Sequence, residues 1–152
     1  MISLSHGRSI WKELNPSLEQ LNQRSDGSIH QALGIRLTAL REQELEAEMP
    51  VDRRTLNPLG VLHGGASAVL AESIGSLGSL LVVGDDFLAF GIELNCSHLQ
   101  SIQSGSVRGV GRPLRLGKSL HVWSIAIHST APSAELLCSA RLSVMIKPKK
   151  RL

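Results

Sequence analysis

The segment from Ala66 to Val83 is the feature that most constrains the fold of this 152-residue chain. It follows a His-Gly-Gly sequence at residues 63–65 and consists almost entirely of small and aliphatic residues. It is longer than an ordinary strand, and its apolar residues surround a helical projection on nearly all sides. We therefore predict a long helix that is buried on most sides and ends at the glycine and two aspartates of residues 84–86.

Alternation of apolar and polar residues predicts five or six antiparallel strands around this helix. The clearest are 45–51, with 36–40 as its hairpin partner, and 134–146; further strands are expected within 88–96, 107–116 and 120–129. A sheet with one apolar face can bury a helix by wrapping around it. The predicted fold class is α+β, an antiparallel sheet around one long central helix.

The length suits a single domain spanning residues 1–152, in which residues 1–12 and 148–152 are expected to be flexible extensions. A short helix is predicted over 14–24, with Asn15 as its cap and Pro16 in its first position. No signal-peptide pattern is evident, and the longest apolar stretch is too interrupted to predict a membrane span. Cys96 and Cys138 lie in apolar alternating runs, which is typical of small buried residues. We expect a soluble, cytoplasmic protein.

Charge is distributed unevenly along the chain. Residues 1–100 carry seven Lys/Arg and twelve Asp/Glu, whereas residues 101–152 carry nine Lys/Arg and one Glu. A positive C-terminal third can attract an anionic partner. The chain has no Tyr, two Phe and two Trp, which disfavours a nucleic-acid surface built on base stacking.

Glu72 is the only charged residue between His63 and Gly84. A carboxylate within an apolar helix is costly unless it has a partner or a chemical role. Glu72 is therefore a candidate catalytic residue. An exposed strip on the helix, or an ion pair with an arginine, would explain it equally well.

His63, Gly64 and Gly65 lie where the long helix is expected to begin. The N–H groups of a first helical turn lack acceptors and lie at the positive end of the helix dipole. Glycine allows a substrate to approach that backbone closely, so a carbonyl oxygen gaining negative charge could bind there, as in an oxyanion hole. Alone, the two glycines are equally typical of a flexible turn.

Gly64 and Glu72 are eight residues apart, which is about 12 Å along a helix. One carbonyl group cannot readily contact both from the same helix. If both act on one bond, the two helices are expected to come from two subunits at a symmetric interface. Ser76, one turn beyond Glu72, could hydrogen-bond the carboxylate or a water molecule.

Several motifs resemble those of the hotdog-fold acyl-CoA thioesterases. They are Glu-Met-Pro-Val at 48–51, Arg-Thr at 54–55, Asn-Pro-Leu-Gly-Val-Leu-His-Gly-Gly-Ala-Ser at 57–67 and Ala-Glu at 71–72. The resemblance continues through 93–95, 107–110, 113–114 and 116–117, and covers about residues 30–146. The subgroup most resembled hydrolyses 1,4-dihydroxy-2-naphthoyl-CoA in menaquinone and phylloquinone synthesis. Related enzymes are the enterobactin-pathway proofreading thioesterase and the Arthrobacter-type 4-hydroxybenzoyl-CoA thioesterase.

This resemblance implies roles for individual residues. Glu72 matches the catalytic carboxylate, a nucleophile or a base for water, and Gly64 matches the residue whose amide polarises the thioester carbonyl. His63 matches a histidine that helps to hold that turn and the carbonyl, and Ser76 a hydroxyl that orients the acyl group or the water. Asn57 stands where the subgroup often has glutamine, which is one methylene longer. The positions matching coenzyme A contacts are His98, Ser101, Arg115, Leu116, Gly117, Lys118 and Ser119.

Together, the motifs and the resemblance predict a homo-oligomeric thioesterase, a dimer of dimers with active sites at the dimer interface. It would hydrolyse an aromatic acyl-CoA, with the dihydroxynaphthoyl ester as the leading candidate. Because thioesters are activated, a carboxylate and a polarised carbonyl can suffice without a metal or cofactor. The alternatives are a hotdog hydratase or dehydratase and a non-catalytic acyl-CoA-binding protein. A basic nucleic-acid module is also less favoured, and no membrane partner is expected.

Overall fold

The computed structural model describes residues 9–12 and 17–149. Within them the elements are α1 (Leu18–Gln23), α2 (Ile29–Leu33), β1 (Arg36–Leu40), β2 (Leu45–Val51), α3 (Gly64–Val83), β3 (Phe87–His98), β4 (Gly105–Leu116), β5 (Leu120–Ser129) and β6 (Leu136–Pro148). The six strands form one antiparallel sheet in the order β1-β2-β4-β5-β6-β3, and α3 packs against five of them. The predicted α+β architecture, with one long helix against an antiparallel sheet, is confirmed.

The core lies between α3 and the face of the sheet that wraps around it. The predicted apolar face of β2 is confirmed, since Leu45, Ala47, Met49 and Val51 are all buried, but Glu46 on the opposite face is also buried, where it bonds Arg41. By length and composition alone α3 could cross a membrane, contrary to the expectation from its sequence, but more than half of it is buried inside the protein. This helix is the core of the domain.

Four glycines allow α3 and the sheet to approach closely. A Cβ on Gly78 of α3 would lie 2.7 Å from the ring of Trp123, and one on Gly75 would lie 2.6 Å from a Leu142 methyl group. From the other side, a Cβ on Gly109 of β4 would lie 2.5 Å from Cδ1 of Ile74, and Gly111 faces the same side chain. No larger residue fits at these positions unless the helix or the sheet shifts.

Strand β3 forms one edge of the sheet, and its pairing with β6 shifts between Gly91 and Glu93. A one-residue shift moves the following side chains to the opposite face of a sheet. As a result, Leu94 and Cys96 pack against the core, as Phe87 and Ala89 do before the shift, whereas the apolar residues that alternate with Phe87 and Ala89 are exposed. These exposed residues are Leu88, Phe90 and Ile92.

The N-terminal region differs from the prediction in its details. Helix α1 begins at Leu18, with Ser17 as its N-cap in a reciprocal capping arrangement with Gln20. The predicted cap Asn15 and first helical residue Pro16 lie outside the described residues. Helix α2 was not predicted, because five residues are too few to produce a helical periodicity.

Residues 9–12 belong to the predicted N-terminal extension, yet they contact the core. Ile10 is buried, and the Trp11 ring stacks on Trp123 with 6.3 Å between centroids. The Lys12 ammonium group donates to the carbonyl of Val83 at 3.1 Å, at the C-terminal end of α3. Apolar burial and this bond to a helix C-terminus hold the segment in place.

Candidate active site

The loop between β2 and α3 is held by side-chain hydrogen bonds. Asp52 accepts hydrogen bonds from the Arg54 guanidinium at 2.7–3.2 Å, which lowers the pKa of the Asp52 carboxyl to about 2. Thr55 Oγ1 donates to the carbonyl of Pro50, and the Thr55 carbonyl accepts from the His63 N–H at 2.8 Å. These bonds fix the residue that precedes α3.

Asn57 occupies a tight turn within this loop. Its Oδ1 accepts from the N–H groups of Leu59, at 2.9 Å, and Val61, at 3.3 Å, and its carbonyl accepts from Gly60. This is the local hydrogen bonding typical of an asparagine turn. The Asn57 side chain, which the family resemblance implies to act in catalysis, thus stabilises the turn in this structure. Its catalytic role stays a prediction.

Helix α3 begins at Gly64, as predicted. His63 is the N-cap, with extended backbone angles, and its Nδ1 accepts from the Gly65 N–H at 2.8 Å. The N–H of Gly64, as the first helical residue, has no acceptor within the helix. His63 therefore orients the turn, and the Gly64 N–H stays available for an external oxygen.

His98, at the end of β3, lies directly beside Gly64. A Cβ on Gly64 would be 2.8 Å from His98 Nε2, so glycine is needed for this approach. Gly64, His98 and Ser101 line one cleft of about 390 Å³, together with Leu62, Ser67 and Leu137. Three of the predicted site residues are thereby brought together at the N-terminus of α3.

Glu72 lies two turns further along α3 and is exposed in the single chain. Its carboxylate rests over Gly91 of β3, where a Cβ would lie 2.6 Å from Glu72 Oε1. Ser76, half-buried, follows one turn later on the same side of the helix. Sequence reasoning missed Gly91, although a glycine inside a strand pattern can indicate such a close approach.

The predicted site residues thus form separate groups within one chain. Gly91, below Glu72, and His98, beside Gly64, are seven residues apart on β3. Residues 115–119 comprise the end of β4 and the β4–β5 turn, and the strand pairings place this turn near Met145 of β6, whereas His98 pairs with Cys138. The coenzyme A positions on that turn are therefore about 23 Å along β6 from the Gly64 cleft.

His121 is buried next to the β4–β5 turn, and its Nδ1 has no hydrogen-bond partner among the described residues. It is 1% exposed, and burial lowers the pKa of its imidazole, although a hydrogen bond with the Gly117 backbone opposes this shift. A neutral imidazole is therefore favoured there. His121 was not predicted as a functional residue.

The cysteines offer no alternative nucleophile. Burial raises the pKa of the Cys138 thiol to about 11, and burial also raises that of Cys96. A thiol with a raised pKa carries little of the reactive thiolate at neutral pH. Within the described part of the chain, no three His, Cys, Asp or Glu side chains cluster as metal ligands.

The fold, the glycines at the start of α3 and the single carboxylate within this helix indicate a class of protein, and the sequence matches the family model of that class. Residues 59–133 match the Thioesterase superfamily model. The chain is also 44% identical over 137 residues to the 1,4-dihydroxy-2-naphthoyl-CoA hydrolase of Escherichia coli, covering 90% of this chain and 98% of that enzyme. The protein belongs to the thioesterase superfamily and is a thioester hydrolase.

Other relatives agree in sequence and in fold. The EntH proofreading thioesterase of Cronobacter turicensis is 43% identical over 90% of this chain and 98% of its own. The crystal structure of thioesterase HI1161 from Haemophilus influenzae has a TM-score of 0.89 at 39% identity, covering 93% of this chain and 97% of that one. A mutant of thioesterase PA1618 from Pseudomonas aeruginosa has a TM-score of 0.88 at 44% identity, covering 92% and 99%. The predicted hotdog fold is confirmed.

Proposed function

We propose that this protein hydrolyses an aromatic acyl-CoA, with 1,4-dihydroxy-2-naphthoyl-CoA as the leading substrate, in active sites that two subunits share. The relative from Escherichia coli named for that substrate supports the choice of acyl group. In this proposal the enzyme acts in the cytoplasm, in menaquinone biosynthesis.

The distance between Gly64 and Glu72 is the observation that best supports an active site shared by two subunits. The two are eight residues apart on one rigid helix, about 12 Å, which is too far for one thioester carbonyl to contact both. Strand β3, which contacts both groups, is an edge strand with exposed apolar side chains. Pairing β3 antiparallel with a second copy about a two-fold axis would bring the Gly91 region of one chain towards the His98 end of the other.

In such a dimer, the thioester oxygen would accept a hydrogen bond from Gly64 N–H of one chain, while Glu72 of the other would face the carbonyl carbon. Glu72 either attacks this carbon, expelling the CoA thiolate and forming an anhydride that water hydrolyses, or takes a proton from an attacking water. In both routes the products are the free acid and CoA. One backbone N–H donor in an oxyanion hole stabilises the transition state by about 3 kcal/mol.

The same pairing explains the position of the CoA-binding residues. The β4–β5 turn lies at the Phe87 end of the sheet, and antiparallel pairing would bring this end level with His98 of the second copy, with β6 and β3 between the turn and that residue. Arg115 at the end of β4 and Lys118 on this turn are exposed and positively charged, which suits the phosphates of CoA. Their neutralisation is expected to raise KM with little change in kcat.

We further propose that two such dimers associate through the outer face of the sheet. This face bears the exposed Leu114, and charged pairs surround it, with Arg41 bonded to Glu46 at 2.7 Å and Arg112 to Glu44 at 2.7 Å. A cavity of about 670 Å³ lies between these groups. Sedimentation or light scattering of the intact protein would distinguish a dimer from a tetramer.

A heterodimer experiment tests the shared site. Glu72→Gln removes the carboxylate. Gly64→Pro removes the N–H in a first helical position whose backbone accepts proline, because His63 already has extended angles, but its Cβ also displaces the His98 ring. Each homodimer should be inactive, with at least a 100-fold loss of kcat. Purified heterodimers carrying one of each chain should recover about half of the wild-type activity, since one of their two sites is then intact.

Inactive heterodimers that remain folded and dimeric would refute the shared site and favour a site within one chain. Wild-type turnover by the Glu72→Gln homodimer would refute the role of the carboxylate. Hydrolysis measured as thiol release, against a panel of aromatic and aliphatic acyl-CoA esters ranked by kcat/KM, identifies the acyl group.

A further inference from the structure

Among the large apolar side chains of the described residues, that of Leu59 is the most exposed, at 84%. It lies at the tip of the turn that leads into α3. This turn is well bonded: the Leu59 N–H donates to Asn57 Oδ1 at 2.9 Å, the Asn57 N–H donates to the Val61 carbonyl at 2.8 Å, and Leu56 pairs with Leu62. The fold thus holds a leucine side chain in a fixed place, where nothing in the single chain covers it.

A site shared by two subunits defines where this turn lies in the dimer. The inference rests on the proposed function, in which Gly64 of one chain and Glu72 of the other act on one thioester. The two-fold axis then passes beside Ala68, midway between these residues, and the two α3 helices run antiparallel. The residues that precede Gly64 in one chain therefore extend past Glu72 of the second chain, towards Leu77 and Leu80 of that chain.

Distances along the helix agree with this placement. Leu77 is about 7.5 Å and Leu80 about 12 Å beyond Glu72 along the axis of α3. From Leu62 to Leu59, at the tip of the turn, three residues span up to about 10 Å. The tip is therefore long enough to reach the part of the second helix between Leu77 and Leu80.

An acyl group bound at Glu72 is expected to extend along α3 away from the two-fold axis. Towards Ala68, the second α3 helix occupies the space. In the other direction the strip of α3 that continues from Glu72 is open, since Ser76 is half-buried and Leu80 is 37% exposed. Apolar side chains predominate in a groove of about 410 Å³ beside this strip, among them Leu21, Leu77, Phe87 and Leu88. Within one chain, the outer side of a bound acyl group would remain in water.

We propose that Leu59 is a specificity-determining residue that acts from the second subunit, where it covers the acyl group bound between Glu72 and Leu80. The far ring of a 1,4-dihydroxy-2-naphthoyl group carries no polar substituent, because both hydroxyl groups are on the ring that bears the thioester. Contact between this ring and a leucine side chain removes apolar surface of both from water. A benzoyl group is shorter by one ring and gains little from the contact.

The competing possibility is that Leu59 packs only against the protein of the second subunit. Its removal would then weaken the dimer and lower the turnover of every ester alike. A role in specificity predicts an effect that depends on the acyl group, measured at a protein concentration at which the enzyme is fully dimeric.

Paired esters test the dependence on the acyl group. Leu59→Ala should lower kcat/KM for 2-naphthoyl-CoA about 10-fold, the effect of half-burying one leucine side chain, and change that for benzoyl-CoA by less than about twofold. Leu59→Met keeps an apolar side chain of similar volume and should retain most of the preference for the naphthoyl ester. As a control, Leu136→Ala removes another exposed leucine side chain, at the start of β6, and should leave the preference unchanged.

Heterodimers of a Glu72→Gln chain and a Gly64→Pro chain show from which subunit Leu59 acts. Their one intact site combines Gly64 of the Glu72→Gln chain with Glu72 of the Gly64→Pro chain. Leu59→Ala should reduce the naphthoyl preference when it is placed in the Glu72→Gln chain. The same substitution in the Gly64→Pro chain should have no effect, and this heterodimer is the matched control.

An unchanged preference in the Leu59→Ala homodimer, or equal losses for the two esters, would overturn the inference. So would a reduced preference when Leu59→Ala is placed in the Gly64→Pro chain. Each of these results requires measurable hydrolysis. Failure of the wild-type protein to hydrolyse either ester, or inactivity of folded heterodimers that lack Leu59→Ala, would instead count against the proposed function, so the two failures are distinguishable.

Discussion

The contact between Gly91 and Glu72 gives a direct test of the site without altering the carboxylate itself. A Cβ at position 91 would lie 2.6 Å from Glu72 Oε1, whereas ordinary contacts begin at about 3.4 Å, so Gly91→Ala should displace the carboxylate by about 0.8 Å. Misplacing a reacting group by about 1 Å can cost 100-fold in rate. We therefore expect kcat to fall on the order of 30- to 100-fold.

Gly91→Ala should affect the chemical step of the reaction and leave folding and assembly unchanged. The displaced atom is the end of an exposed, flexible side chain, so the unfolding free energy measured in urea should change by less than about 1 kcal/mol. Light scattering should give an unchanged oligomeric state. In the Glu72→Gln background, Gly91→Ala should cost less than about threefold more, because both changes act on one group. Wild-type kcat for Gly91→Ala, or full additivity of the two losses, would refute the placement of the working carboxylate over Gly91.

Two further predictions concern the buried aromatic and imidazole groups. Trp11→Ala should lower the unfolding free energy by about 2 kcal/mol, since it removes the stacking on Trp123 and the indole hydrogen bond to the Arg41 carbonyl. Urea denaturation measures this, and Trp11→Phe should recover about half. The pKa of His121 is lowered by burial, so the unfolded chain binds a proton more readily below about pH 6.5, and stability should fall as the pH is lowered from 7 to 5. His121→Gln should flatten this dependence; an unchanged slope would mean that His121 does not titrate on unfolding.

The sequence predicts most of the fold because its strongest signals are local. The twenty residues of α3 are bounded as predicted, by the His-Gly-Gly sequence and by Gly84. The alternation in β2 and β6 is regular enough to give both the strands and their buried faces. The hairpin of β1 and β2 follows from two alternating runs joined by a short turn.

The sequence could not predict features that depend on long-range pairing. The apolar alternation of residues 88–96 has no interruption, yet the register shift against β6 places its two halves on opposite faces. Glu72 was expected within a helix buried on most sides, but β3, at the sheet edge, leaves that side of the helix open. The distance between the Gly64 cleft and the β4–β5 turn likewise follows from the order of the strands, which local patterns do not contain.

The four glycines between α3 and the sheet determine the rotational setting of the helix. Turning α3 by one residue, about 100°, would direct Glu72 away from Gly91 and bring larger side chains against Trp123 and β4. Moving α3 along its axis would bring larger side chains into the same close contacts. The direction of the carboxylate is thus fixed by residues that have no side chain. Mutational tolerance at these glycines should therefore be as low as at Glu72 itself, although none of them would touch a substrate.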